Sequence, residues 1–226
     1  MGNGFIKNIK YLCNCLLDVI YSDDRGCVIC NEYVSENRNL CTICLGKVKK
    51  CKGYFEIHKE NLNIRCYSAT YYSYIIKRLI LNLKYKSDFK SGEVLARYML
   101  EAIKNNGIGF DIITYVPLTK QSIKKRGYNQ GRYLAKFIGD ETNKKVYRTL
   151  KKCKETKDQI GLGKEERWSN LKNSFQFVNL KCFQNKRILI VDDVITTGAT
   201  GFYCAKILME NGAKNVVVLS AAKSSI

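Results

Sequence analysis

Two groups of residues in this 226-residue chain have types and spacings suited to chemistry. The first is a pair of Cys-x-x-Cys units, Cys27 with Cys30 and Cys41 with Cys44, separated by ten residues. Each unit brings two thiolates onto one side of a tight turn. Two units supply four soft ligands at the corners of a tetrahedron, which suits Zn2+. Four thiolates leave no open coordination position, so a zinc held there is structural. Eight of the 11 cysteines fall in the first 66 residues, and such clustering in a cytosolic chain points to metal rather than disulfides. Cys51 and Cys66 do not repeat the unit and are expected to be small buried residues. The single histidine, His58, lies outside the paired spacing, so a His-based catalytic triad has little support.

The second group is Asp192-Asp193-Val194-Ile195-Thr196-Thr197-Gly198-Ala199-Thr200. Ile188 to Val191 is a continuous branched or leucine-type run, as in a parallel strand buried on both faces. Two carboxylates are expected directly at its C-terminal end. Phe202, Ala205, Leu208 and Met209 then form a helical stripe that stops at Asn211-Gly212, and Asn215 to Ser220 reads as another buried strand. This is a βαβ unit, and its loop lies where ligands bind in open α/β sheets. A loop entering a helix N-terminus directs free backbone N–H groups and a positive dipole at an anion, so it can hold a phosphate. Gly198 allows close backbone approach, and Thr196, Thr197 and Thr200 add hydroxyl donors. Asp192 and Asp193 can accept from ribose hydroxyls, directly or through Mg2+, and favour positive charge developing on the sugar. The spacing predicts a sugar 5-phosphate site. A Walker loop is excluded because no Gly-Lys-Thr/Ser follows.

The elements that must position these groups are legible in outline. Phe5 to Ser22 carries an amphipathic helical stripe, expected to dock on the rest of the protein. Tyr67 to Ile76 reads as strand then helix, and Val94 to Ala102 as a second helix ended by Gly107. Asp111 to Val116 reads as a strand and Pro117 to Gln130 as a loop. Tyr133, Leu134 and Phe137 mark a helix, Val146 to Leu150 a short strand, Glu165 to Asn170 a helix, and Phe175 to Phe177 a strand. The expected division is a helix over 1–22, a four-cysteine module over 23–60 and an α/β parallel-sheet domain over 61–226.

Composition narrows the partners. The longest uncharged run is 12 residues, Val194 to Ala205, against the roughly 18 needed to span a bilayer. No transmembrane segment is therefore expected, and the protein is placed in the cytoplasm. The net charge is +19. Residues 120–186 hold 18 basic and 6 acidic residues, net +12, whereas residues 1–66 are only +3. Polyphosphate ligands and nucleic acid are both drawn to such a field. Tyr128, Tyr133, Tyr147 and Trp168 are interleaved with it, but their helical spacing favours core packing over base stacking.

Val191 to Thr200 resembles the phosphoribosyl pyrophosphate (PRPP) signature of type I phosphoribosyltransferases. Other pieces resemble the ComF family of competence-associated proteins, nearly from end to end. They are the four-cysteine module, Leu83-Lys84-Tyr85, Pro117-Leu118, Arg126-Gly127-Tyr128-Asn129-Gln130, and Gln159 with Glu166-Arg167 and Asn170. One departure is visible: Tyr115 stands where that family commonly has the first of two prolines.

The resemblance implies a type I phosphoribosyltransferase-like, Rossmann-like domain that binds PRPP with Mg2+, or a nucleotide 5-phosphate. Asp192 and Asp193 would contact the ribose hydroxyls, Thr196, Thr197, Gly198, Ala199 and Thr200 the 5-phosphate, and Arg126 the pyrophosphate. It also implies a role in natural competence beside an ATP-dependent DNA translocase at the inner face of the membrane. Two readings stay open at this point. One is an enzyme transferring phosphoribose; the other is a non-catalytic competence factor that binds single-stranded DNA.

Overall fold

The computed structural model describes residues 26–34, 39–154, 164–178 and 183–224, with the backbone alone over 164–167. The expected N-terminal helix, Cys13, Cys15, Gln159 and the Arg167 side chain lie outside the described residues. The chain divides into two compact units, one up to Leu45 and one from Gly46 onward.

The first unit is built around the cysteines. Gly26 and Tyr33 form an antiparallel bridge, and Cys27 N–H donates to Glu32 O at 2.8 Å. The turn between them closes through Asn31, whose φ of 61° is the left-handed conformation that asparagine tolerates. The second Cys-x-x-Cys opens the short helix α1 (Thr42–Gly46).

The second unit is an α/β domain around a five-stranded sheet. Its strands are β1 (Phe55–Lys59), β2 (Leu62–Tyr71), β3 (Ile112–Tyr115), β6 (Arg187–Ile195) and β7 (Asn215–Lys223), in the order β1-β2-β7-β6-β3. Only β1 runs antiparallel; β2, β7, β6 and β3 are mutually parallel. A two-stranded hairpin, β4 (Leu150–Lys152) with β5 (Phe175–Phe177), stands beside it. Residues 46–60, grouped with the cysteines in the sequence expectation, lie in this second unit, where 55–59 forms β1.

The helices follow their apolar stripes. In α2 (Tyr74–Lys86), Ile75, Ile76, Leu79, Ile80 and Leu83 are buried, and Ser87 ends the helix at φ 53°. In α3 (Phe89–Asn105), Asp88 caps the N-terminus by accepting from Ser91 N–H. Helix α5 (Gln130–Thr142) buries Leu134, Ala135 and Ile138. Helices α2, α3 and α5 pack as a layer on one face of the sheet. The other face holds α6 (Lys164–Leu171) and α7 (Ala199–Glu210), with Phe183, Phe202, Leu208 and Ile190 at the centre of a continuous core. Each such side chain contributes about 1.5–3 kcal/mol by leaving water.

Three elements differ from expectation. The loop after Pro117 contains a helix, α4 (Lys120–Arg126). Thr119 Oγ1 caps its start, Gly127 ends it at φ 81°, and Lys124, Lys125 and Arg126 sit in the last turn, where the helix dipole favours cations. Strand β6 continues four residues past Val191, because β7 supplies partners as far as Lys223. Val146 makes only an isolated bridge with Ile113, and the short strand begins at Leu150. Cys66 is fully buried as expected, whereas Cys51 is half-buried. His58 is exposed beside Glu56.

Candidate functional site

The four predicted thiols converge. Cys27, Cys30, Cys41 and Cys44 place their Sγ atoms within 4.8 Å of one another. Cys30 Sγ lies 3.5 Å from Cys41 Sγ and 3.7 Å from Cys44 Sγ. A tetrahedral zinc with Zn–S bonds of about 2.3 Å sets its sulfurs about 3.8 Å apart, so the cluster has the size of such a site. Backbone N–H groups reinforce it, with Cys44 N–H 3.4 Å from Cys41 Sγ. The thiols do not share one character. Burial opposes ionisation of Cys27, but N–H donors from Cys41, Cys30 and Ile29 outweigh it and lower its pKa to about 6. Burial and the neighbouring sulfurs push Cys44 up. Four adjacent thiolates need a cation, and these residues form a cluster that could hold a metal ion.

The second site is assembled at the C-terminal ends of the parallel strands. Asp192 and Asp193 lie inside β6 rather than beyond it; Asp192 pairs with Ser220 and Val194 with Ala222. Neighbouring residues of a strand project to opposite faces. Asp193 is buried and half-covered by α2 and α5: Lys84 Nζ forms an ion pair with its Oδ2, and Gln130 Nε2 donates to its Oδ1 at 3.3 Å. Arg126 donates to Gln130 Oε1 at 3.3 Å and lies over the Tyr85 ring, its Cζ 5.4 Å from the centroid. Asn129 donates to Val116 O at 3.0 Å and caps α5 by accepting from Arg132 N–H at 2.9 Å. Tyr128 donates its hydroxyl to Leu83 O, joining the Arg126–Gln130 segment to the end of α2. Lys84 and Gln130, which the sequence could only group by family resemblance, thus meet at one carboxylate, with Arg126 hydrogen-bonded to Gln130 and with Gly127 and Asn129 on the segment between them.

The charges are interdependent. Burial raises Asp193, but the Lys84 ammonium and the Gln130 amide outweigh it, and the carboxyl is held below its ordinary range. Burial and the Asp193 charge push Asp192 well above that range. For Lys84, burial disfavours the ammonium, and the two carboxylates outweigh it, so its pKa is raised. Asp193 is the ionised member of the acid pair, and Lys84 is its counter-ion.

The Thr/Gly segment follows two residues after Asp193's neighbour Val194. Gly198 has φ 80° and caps α7, and Ala199 N–H lies 3.4 Å from Thr197 Oγ1. Gly198 and Ala199 are buried, while Thr196, Thr197 and Thr200 are half-buried. A Cβ at position 198 would meet the end of the Ile57 side chain of β1, and the left-handed backbone conformation there favours glycine. The first N–H groups of α7 have no partner within the helix, and α7 has 12 residues to sum a dipole behind them. This arrangement is suited to an anion at the loop. Asn170 sits elsewhere, on α6, whose Trp168 packs edge-on against Phe202 and Tyr203 of α7. Trp168 is therefore a packing residue, as its spacing implied.

The chain is 32% identical over 155 residues to competence protein F of Haemophilus influenzae, covering 65% of this chain and 67% of that one. It is 31% identical over 216 residues to the DNA utilization protein YhgH of Salmonella typhi, covering 90% and 92%. The chain belongs to the ComF family. No family model matches the sequence. Among solved structures, this ComF protein is similar to orotate phosphoribosyltransferase from Aeropyrum pernix, at 18% identity over 79% of this chain and 88% of that one, with a TM-score of 0.39. Among the described residues, no helix of the ComF chain is long and apolar enough to cross a membrane.

Proposed function

We propose that this ComF protein binds the phosphoribosyl group of PRPP or of a nucleotide, and that it does so in the service of DNA uptake. The observation that carries the reading is the continuity of β6 and α7. Two carboxylates, one ionised and one pushed upward, stand immediately before a glycine-capped helix N-terminus lined by three threonines. A 5-phosphate at the 196–200 loop leaves the ribose diol toward Asp192 and Asp193, where carboxylates accept from hydroxyls. Mg2+ would accompany PRPP and supply charge neutralisation for its pyrophosphate. Arg126, at the end of α4, is the protein's own cation on that side. The four-cysteine cluster would hold structural zinc and take no part in the chemistry. The competence setting is supported by the printed names of the relatives, competence protein F and DNA utilization protein.

The test is calorimetric titration with PRPP and Mg2+. Saturable binding that Asp192→Asn with Asp193→Asn weakens at least tenfold is the expected result; absence of any heat with PRPP or with nucleotides would sink the reading. A second reading is favoured by the +12 charge of residues 120–186: the same protein contacts single-stranded DNA. Its affinity should then fall steeply with salt, and a flat salt dependence argues against it.

A further inference from the structure

We propose that the outer face of α2 is a stacking platform for a short run of unpaired bases. This rests on the single-stranded DNA reading and adds to it a surface outside the 120–186 segment. Helix α2 buries Ile75, Ile76, Leu79, Ile80 and Leu83 on one face. The opposite face of such a helix is ordinarily polar. Here Tyr74, Leu81 and Tyr85 stand on it, 68%, 38% and 62% exposed. With Arg78 between the first two they are spaced four, three and four residues apart, which makes one stripe along the helix. Phe89, at the start of α3 and 49% exposed, continues the aromatic band. Its ring packs on Tyr128, whose hydroxyl donates to Leu83 O at the end of α2.

The charge of this surface is one-sided. Helices α2 and α4 together carry eight Lys and Arg residues and no Asp or Glu. Of these, Lys84 is paired with Asp193. On α3 and β6 the surface arginines Arg97 and Arg187 are paired with Glu93 and Asp111. Arg78 and Arg126 lie beside rings instead. Arg78 Cζ is 5.7 Å from the Tyr74 centroid, and its Nη1 donates to the Tyr74 hydroxyl at 3.2 Å. Arg126 meets Tyr85 in the same way and brings the basic last turn of α4 to the end of the stripe. A ring with a guanidinium at its side offers a face to a base and a cation to that nucleotide's phosphate. From Tyr74 to Tyr85 the helix rises about 16 Å. At roughly 3.4 Å per stacked nucleotide that length takes up to about five nucleotides. A duplex keeps its base faces inside its own stack, so the stripe can tell a single strand from a duplex, which net charge alone cannot do. A lipid surface calls for a contiguous apolar face, whereas this stripe runs ring, cation, leucine, ring.

Fluorescence anisotropy with labelled oligo-dT of about ten nucleotides, and with a duplex of the same length, compares wild-type protein, Tyr74→Ala, Tyr85→Ala and Tyr74→Phe. Each alanine variant should bind the single strand about fivefold more weakly or worse, and the duplex to within about twofold of wild type. Retained duplex binding also shows that the variant is folded. Tyr74→Phe keeps the ring and should hold single-strand affinity to within about twofold. Equal weakening of single strand and duplex in the alanine variants marks a merely structural or electrostatic role and overturns the proposal. So does unchanged single-strand binding in both of them, including the case in which they lose binding to vesicles of anionic lipid instead. Wild-type protein that binds no single strand sinks the single-stranded DNA reading itself and leaves the phosphoribosyl reading standing.

Discussion

The four-cysteine cluster and the Asp193 cluster are opposite solutions to holding charge inside a protein. All four thiols come from an 18-residue stretch, Cys27 to Cys44, and their spacing alone brings them together. The residues around Asp193 come from α2, α4, α5 and β6, and Lys84 and Asp193 are 109 residues apart in the chain. The cysteine cluster offers four like donors that need a cation from outside. The Asp193 cluster already contains its cation and has a loop for an anion beside it. The local site is set by spacing along the chain, whereas the members of the dispersed one are fixed by different elements and meet only in the fold.

The largest effect should come from breaking the local site. Cys41→Ser with Cys44→Ser should reduce zinc from about one equivalent per chain to near zero in elemental analysis. The first unit should lose its dispersed NMR signals, since structural zinc supplies on the order of 10 kcal/mol to such modules. Retention of zinc by the double variant would show that the cluster is not the ligand set.

The dispersed site should respond less, and in a different pattern. Asp193→Ala leaves Lys84 buried without its partner and should cost about 3 kcal/mol in urea unfolding. Lys84→Met combined with Asp193→Leu should recover most of that loss, because the buried charges disappear together. If the double variant loses the sum of the single losses, the pair is not coupled as described.

The smallest effect should be at an exposed pair at the start of β6. Arg187 donates to Asp111 Oδ1 at 2.8 Å, and chiefly through that hydrogen bond the Asp111 carboxyl is lowered to about 2, from an ordinary 3.8. A lowered folded pKa stabilises the native state above about pH 4, and that contribution disappears as pH falls toward 2. Asp111→Asn should therefore flatten the stability profile between pH 4 and 2 and leave both clusters' ligand binding intact. An unchanged acid limb would mean that solvent screens the pair fully.

The readable parts of the sequence were those in which neighbours along the chain are neighbours in space. The β6–α7–β7 unit announced itself because a parallel strand buried on both faces is an unbroken apolar run and the following helix keeps a 3.6 period. Helix α4 was missed because its seven residues have no buried face, so no hydrophobic period marks them. Its signals were Thr119 at the cap and Gly127 at the end. The extent of β6 past Val191 was also hidden. Two aspartates resemble a strand end until β7 supplies partners, Lys84 pairs with the buried one and Gln130 donates to it.

By itself the sequence determined the metal-type donor set, the strand–loop–helix that can hold a phosphate, and the place of the charge. Each is a matter of residue type and local spacing, and local spacing survives in any fold. Only the tertiary structure decided that Asp193 is ionised and occupied, that Asp192 is pushed toward its neutral form, and that Lys84 and Gln130 are the groups responsible. Those assignments depend on distances across the sheet and between helices. A carboxylate's charge is set by what surrounds it in space, and nothing in its own stretch of chain specifies that.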